Sequence, residues 1–105
     1  MEIDYNSIDS LLKLKLTEEI DHYTTEKIRR RADYEIQRYM PKKVVFDFSN
    51  VSFMDSSGLG MVVGRYKLAT MLGGKLEMEN VRPNLQKIFK MSGILKFIPI
   101  SENVG

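Results

Sequence analysis

The run Lys43-Val44-Val45-Phe46-Asp47-Phe48, followed four residues later by Phe53-Met54-Asp55-Ser56-Ser57-Gly58-Leu59-Gly60, decides the fold. Its first part is β-branched and aromatic almost without a break, which is the pattern of a central strand covered on both faces. From Ser56-Ser57-Gly58 onward Leu59, Val62, Val63, Tyr66, Ala69 and Leu72 recur at helical spacing, and Gly73-Gly74 supply a stop. A buried strand that leads into an amphipathic helix is the first half of a strand–helix–strand crossover, so the chain is expected to build a largely parallel sheet.

The flanks complete it. Upstream, Glu2 to Tyr5, a polar turn over Asn6–Ser10 and Leu11 to Leu16 read as a hairpin, with Leu12, Leu14 and Leu16 alternating against Lys13 and Lys15. Thr24 or Thr25 is expected to cap a helix whose apolar positions are Ile28, Ala32, Ile36 and Tyr39 or Met40, and Pro41 ends it. Downstream, Lys75 to Met78 alternates as a strand. Pro83 opens a short helix carried by Leu85, Ile88 and Phe89 that ends at Ser92-Gly93, and Leu95 to Ile100 reads as a last strand that Pro99 confines to an edge. The expectation is an α/β fold: a mixed, mostly parallel five-stranded sheet with an N-terminal hairpin and three to four helices. Any further helix after Ile100 would be vestigial.

With 105 residues, 43% hydrophobic and 29% charged, the chain is expected to form one domain over residues 1–105 with a core large enough to need no staples. It has no cysteine, which excludes disulfides, thiolate metal sites and thiol nucleophiles and suits the cytoplasm. The start Met1-Glu2-Ile3-Asp4 is acidic where a signal peptide is basic, and the longest charge-free stretch, Ser56–Gly64, is far below the ~18 residues of a membrane span. A formal charge of +2 is too small to call for nucleic acid, and Arg29-Arg30-Arg31 would point three ways on a helix. A single histidine, His22, gives no ligand spacing for a metal, and no phosphate-binding glycine loop is present, so no cofactor is expected. Met54, Met61, Met71, Met78 and Met91 read as core filler.

The segment where chemistry could sit is Asp55-Ser56-Ser57-Gly58, at the carboxyl end of the central strand, where open α/β sheets place functional loops. A hydrolase nucleophile there would follow a glycine two residues earlier, but Met54 and Asp55 hold those places, and His22 is the sole imidazole for a triad. Alternatively a serine simply accepts a backbone N–H bond at the helix start. The third reading is a hydroxyl presented for phosphorylation, since a helix N-terminus meets the resulting phosphate with unpaired N–H groups and the positive end of its dipole. The residue types alone leave these readings open.

The segment Val51–Gly60, together with Gly64-Arg65-Tyr66-Lys67 and Met91-Ser92-Gly93-Ile94, resembles the anti-sigma factor antagonists, proteins with a STAS fold, and most of all the sporulation members of that family. The likeness extends from about Ile3 to Ile100 and includes Leu16-Thr17 through Asp21-His22 and Thr24. The resemblance implies a regulatory protein rather than an enzyme. In its unphosphorylated form it binds an anti-sigma factor that is itself an ATP-dependent serine kinase, and so frees the sigma factor. The kinase switches it off by phosphorylating the serine before the motif's glycine, which is Ser57 here with Ser56 the runner-up. A serine phosphatase resets it. By the same likeness the partner-binding surface comprises Asp21, Asp55, Ser56, Ser57, Gly58 and Leu59. A STAS domain that senses a small anion or nucleotide through the same loop, without phosphorylation, is the alternative. Glu18 stands where the family has a glycine, and the usual C-terminal helix is truncated or missing.

Overall fold

The computed structural model describes residues 1–101. In chain order the elements are β1 (Glu2–Asn6), β2 (Leu11–Lys15), α1 (His22–Tyr39), β3 (Lys43–Asp47), α2 (Ser57–Met71), β4 (Lys75–Glu79), α3 (Pro83–Ser92), a 3-10 turn (Ile94–Lys96) and β5 (Ile100–Ser101). The sheet order follows the sequence, β1-β2-β3-β4-β5. The hairpin β1–β2 is antiparallel with Ile3 opposite Leu14 and Tyr5 opposite Leu12, and every other pair is parallel. The mixed five-stranded α/β sheet of the sequence reading is therefore the observed one. The expected vestigial C-terminal helix lies outside the described residues.

Alternation divides the strands into two unlike faces. Leu12, Leu14, Val44, Phe46, Leu76 and Met78 point to one side and form a single buried cluster with Ile28, Ala32 and Ile36 of α1, Met61, Val62 and Ala69 of α2, and Leu85 and Phe89 of α3. Three parallel crossovers that step in one direction with one hand place their helices on one face, which this single cluster reflects. The other face is charged. Lys13 pairs with Glu79 at 2.5 Å and Lys43 with Glu77 at 2.9 Å across its surface. The expected double covering of β3 is thus corrected: helices cover one face, and Val45 is buried on the other because it lies in register between Lys13 and Glu77. Long charged side chains cover apolar surface with their stems while their heads stay wet.

Three further expectations change. The cap of α1 is Asp21, not Thr24 or Thr25. Its Oδ1 accepts the N–H groups of Tyr23 and Thr24, while the Thr24 hydroxyl accepts the Asp21 N–H, a reciprocal capping box. The expected strand Leu95–Ile100 is instead a 3-10 turn with two strand residues after it. Gly93 at φ +84° turns the chain, Ile98 N–H donates to the Ile94 carbonyl at 2.8 Å as in a helical turn, and Lys96, which a strand would place on the same face as buried Ile94 and Ile98, is exposed. Met54, Met61 and Met78 fill the core, but Met71 and Met91 are 75% and 87% exposed and are not filler.

Candidate functional site

Three loops meet at the carboxyl ends of the parallel strands. The loop after β2 pairs with the loop after β3 as a one-residue parallel bridge between Ile20 and Met54: Ile20 N–H donates to the Phe53 carbonyl at 3.1 Å, and Asp55 N–H donates to the Ile20 carbonyl at 2.9 Å. Glu19 adds a second tie, its carboxylate accepting the Ser52 N–H at 2.9 Å and the Ser52 hydroxyl at 2.7 Å. The loop after β4 joins through Arg82, whose guanidinium donates to the Ser49 carbonyl at 3.3 Å, and the first turn of α3 through Asn84, whose side-chain amide donates to the Ser52 carbonyl at 3.0 Å. Asp47 anchors the start of the middle loop by accepting from Asn80 and from the Ser49 N–H. Burial works to raise its pKa, but those bonds hold it below the ordinary aspartate range.

This pairing brings together residues that lie 34 or more positions apart in the chain: Asp21 follows Ile20 directly, and Asp55 follows Met54. Asp21 holds its carboxylate below its usual range, chiefly through the N–H of Thr24, and only Oδ1 is used in capping α1. Glu18 takes an ordinary negative φ, so the glycine of the family pattern is not required by the backbone here.

The two serines differ. Ser56 is exposed and its side chain caps nothing, so the reading in which Ser56 bonds the helix start does not hold. Ser57 is the first residue of α2 and half-buried. Its N–H donates to Asp55 Oδ1 at 2.9 Å and its hydroxyl donates to the same oxygen. The cap of α2 is therefore supplied by Asp55, and it fixes the direction of the Ser57 hydroxyl. Gly58 is buried beneath Met54 and Ile20: a Cβ there would collide with Cγ and Sδ of Met54 and approach Ile20 Cγ2 to 3.2 Å. Leu59 is half-buried against the core cluster.

Sequence reasoning missed several neighbours. Tyr23 at 82%, in the first turn of α1, and Phe53 at 55%, on the loop after β3, are large exposed aromatics two residues from Asp21 and Asp55. Thr25, Glu26 and Arg29 of α1 line a hollow of about 140 Å3 with Ser57, Gly60 and Arg65 of α2. Arg65 is 7% exposed and ion-paired to Asp33 of α1 at 2.6 Å. Basic residues at helical spacing on two different helices carry no signal in the sequence that they share a cavity. Among the described residues no group of three or more His, Asp or Glu is placed to hold a metal ion, and no helix is long and apolar enough to cross a membrane.

Comparison with known proteins gives a family to this geometry. The STAS domain family model matches residues 2–105. The chain is 37% identical over 103 residues to the anti-sigma F factor antagonist of Paenibacillus polymyxa, covering 98% of this chain and 88% of that protein. It is 28% identical to the anti-sigma-B factor antagonist of Bacillus subtilis (strain 168), covering 96% and 91%. Its fold is similar to that of the anti-sigma factor antagonist SpoIIAA in its unphosphorylated form, with a TM-score of 0.81, 26% identity and coverage of 97% and 88%. Against SpoIIAA in the phosphorylated form the TM-score is 0.73 at the same identity, with coverage of 97% and 91%. By sequence and by fold, then, this chain belongs to the STAS-domain family and, within it, to the anti-sigma factor antagonists.

Proposed function

We propose that the chain is a phosphorylation-switched binding module, not an enzyme, acting in the cytoplasm. Unmodified, it binds an anti-sigma factor that is also a serine kinase and so releases the sigma factor; phosphate on Ser57 ends that binding, and a serine phosphatase restores it. The observation that carries this reading is the Ser57–Asp55 hydrogen bond at the start of α2, which presents one oriented hydroxyl on a rim of three tied loops. A serine proton shared with a carboxylate is held along one direction, which favours in-line attack on a phosphoryl donor.

The surroundings suit a partner protein. Exposed Tyr23 and Phe53 flank the rim, and aromatic residues are enriched among those that dominate interface energetics. The names of the relatives, antagonists of anti-sigma F and anti-sigma-B factors, supply the class of partner. Incubation with a cognate anti-sigma factor kinase and ATP, followed by intact-mass and peptide mass analysis, tests the proposal. One added phosphoryl group on Ser57 is expected. No added mass would set the switch aside and leave a STAS domain that senses a small anion through the same loop.

A further inference from the structure

The hydroxyl of Ser57 cannot keep its present partner once it is phosphorylated. The ester oxygen has no proton to donate, and a phosphate of charge about −1.5 to −2 would face the carboxylate of Asp55 at contact distance. Like charges so close repel, so the phosphate must turn away from the loop.

The other side of Ser57 is the hollow between α1 and α2. It is lined by Arg29 and Arg65, two cations on different helices, together with Thr25 and the acidic Glu26. Gly60, exposed at its lining, adds no side chain to it, and a Cβ at that position would meet nothing within 4 Å. Arg65 lies two turns beyond Ser57 on α2, and helical side chains lean toward the N-terminus, so its guanidinium is directed back along the hollow. That guanidinium is buried, and among the described residues its Nη1 has no hydrogen-bond partner even though Nε sits 2.6 Å from Asp33. A buried donor with unused capacity is unusual and demands an explanation. Arg29 is available in a different way. It bonds Glu26 at 2.6 Å, but Glu26 also pairs with Arg30 at 3.3 Å, so Arg29 can turn toward the hollow without leaving Glu26 unpaired.

We propose that this hollow is a receptor within the chain for the Ser57 phosphate, with Arg29 and Arg65 as its ligands. The inference rests on the phosphorylation reading above. It makes the modified loop a held state, in which the phosphate is docked between α1 and α2 rather than left free in solvent. The charged groups that face it are Arg29 and Arg65 in favour, and Glu26, Asp33 and Asp55 against, so the preference depends on the two arginines being nearer to it than the carboxylates.

The test uses the full chain with phosphoserine installed at position 57 by genetic-code expansion, followed by phosphorus NMR through a pH titration. In the folded chain the second ionisation of the phosphate is expected about half a pH unit or more below its midpoint in urea, because neighbouring cations favour the dianion. Arg29→Gln should raise the midpoint toward the urea value. Lys27→Gln removes the same charge from an exposed side chain of α1 outside the Glu26 pairings and should leave it in place. The proposal is overturned if the folded and urea midpoints coincide, if Arg29→Gln does not move the midpoint, or if Lys27→Gln moves it as far. Arg29 is half-exposed, so its substitution leaves the core intact. Because the phosphate is installed without a kinase, failure here counts against the receptor alone, whereas a kinase that ignores Ser57 counts against the proposed function alone.

Discussion

The carboxylate of Glu19 accepts both the N–H and the hydroxyl of Ser52, and so staples the loop before α1 to the loop that carries Ser57. These bonds favour the ionised carboxyl, the Ser52 hydroxyl most of all, and hold Glu19 below the ordinary glutamate range. A carboxyl whose pKa is depressed by folding adds stability that is fully present above its unfolded value and is lost as the pH falls through the folded one. The staple should therefore be intact at pH 6 and loosen only below the ordinary glutamate value. Amide exchange at Ser52 and Asp55 checks it: protection should fall as the solution is acidified below about pH 4.3, beyond the intrinsic change in exchange rate. Glu19→Gln should show the loosened loop already at pH 6. Loosening of the wild-type loop at or above the ordinary value would contradict the assignment.

Gly58 and Gly64 share one helix and should respond to alanine with opposite signs. At Gly58 the added methyl meets Met54, itself 4% exposed and wedged under Ile20, and overpacking of that kind costs about 1–3 kcal/mol. The gain in helix propensity, up to about 1 kcal/mol, offsets it only in part. At Gly64 an added Cβ meets nothing within 4 Å, so the same propensity gain stands alone. Thermal melts should place Gly58→Ala several degrees below the parent and Gly64→Ala a few degrees above it. A more stable Gly58→Ala would show that Met54 moves aside freely.

The sheet and the crossovers were legible because their signals are local. Alternation in Leu12-Lys13-Leu14-Lys15 and the helical stripe of α2 are each read within a dozen residues. The chain after Gly93 departs from its reading because Leu95 to Ile100 is apolar enough for a strand, whereas only the positive φ of Gly93 and the backbone bond from Ile98 to Ile94 mark it as a turn. The covering of β3 was misread for a related reason: Val45 is buried by Lys13 and Glu77, residues that sequence pattern assigns to solvent. At the candidate site, the Asp55–Gly58 segment could be found from its motif. Its supports could not, since Glu19–Ser52, Ile20–Met54 and Arg65–Asp33 each join residues 32 or more apart that no periodicity connects.

Asp55 should govern how fast Ser57 is modified. It receives the serine hydroxyl and caps α2 with the same oxygen, so Asp55→Asn can keep the bond from the Ser57 N–H through its amide oxygen while losing the negative charge that aligns the hydroxyl. Misalignment of a reacting group by an ångström costs up to about a hundredfold in rate. Phosphorylation of Asp55→Asn by the cognate kinase is expected to slow by about tenfold to a hundredfold, with the circular dichroism spectrum and the melting temperature nearly unchanged. Equal rates for the two proteins would remove Asp55 from the reaction and leave it as a cap.

Substitutions at Ser57 itself separate modification from binding. Ser57→Ala removes a half-buried hydroxyl and its bond to Asp55, leaves the N–H cap of α2 in place, and should fold normally and lose all kinase-dependent labelling. Full labelling of that variant would assign the phosphate to exposed Ser56 instead. For binding, the relevant quantity is what a charge does at the interface. A phosphate buried against a partner must shed water or meet a packed or acidic surface, at a cost of several kcal/mol. Each 1.4 kcal/mol is tenfold in affinity, so a penalty of about 3–4 kcal/mol weakens the complex by two to three orders of magnitude. Ser57→Asp carries a single charge and fewer acceptor oxygens, and it lies close to Asp55. It should weaken binding in the same direction but by less. Ser57→Ala should bind constitutively, within about tenfold of the unmodified chain, because a neutral hydroxyl bond contributes only about 0.5–1.5 kcal/mol. Calorimetry of the unmodified, alanine, aspartate and phosphorylated forms against the anti-sigma factor kinase in ADP orders the four. Equal affinity of the alanine, aspartate and phosphorylated forms would mean that the loop carries the phosphate without using it as a switch.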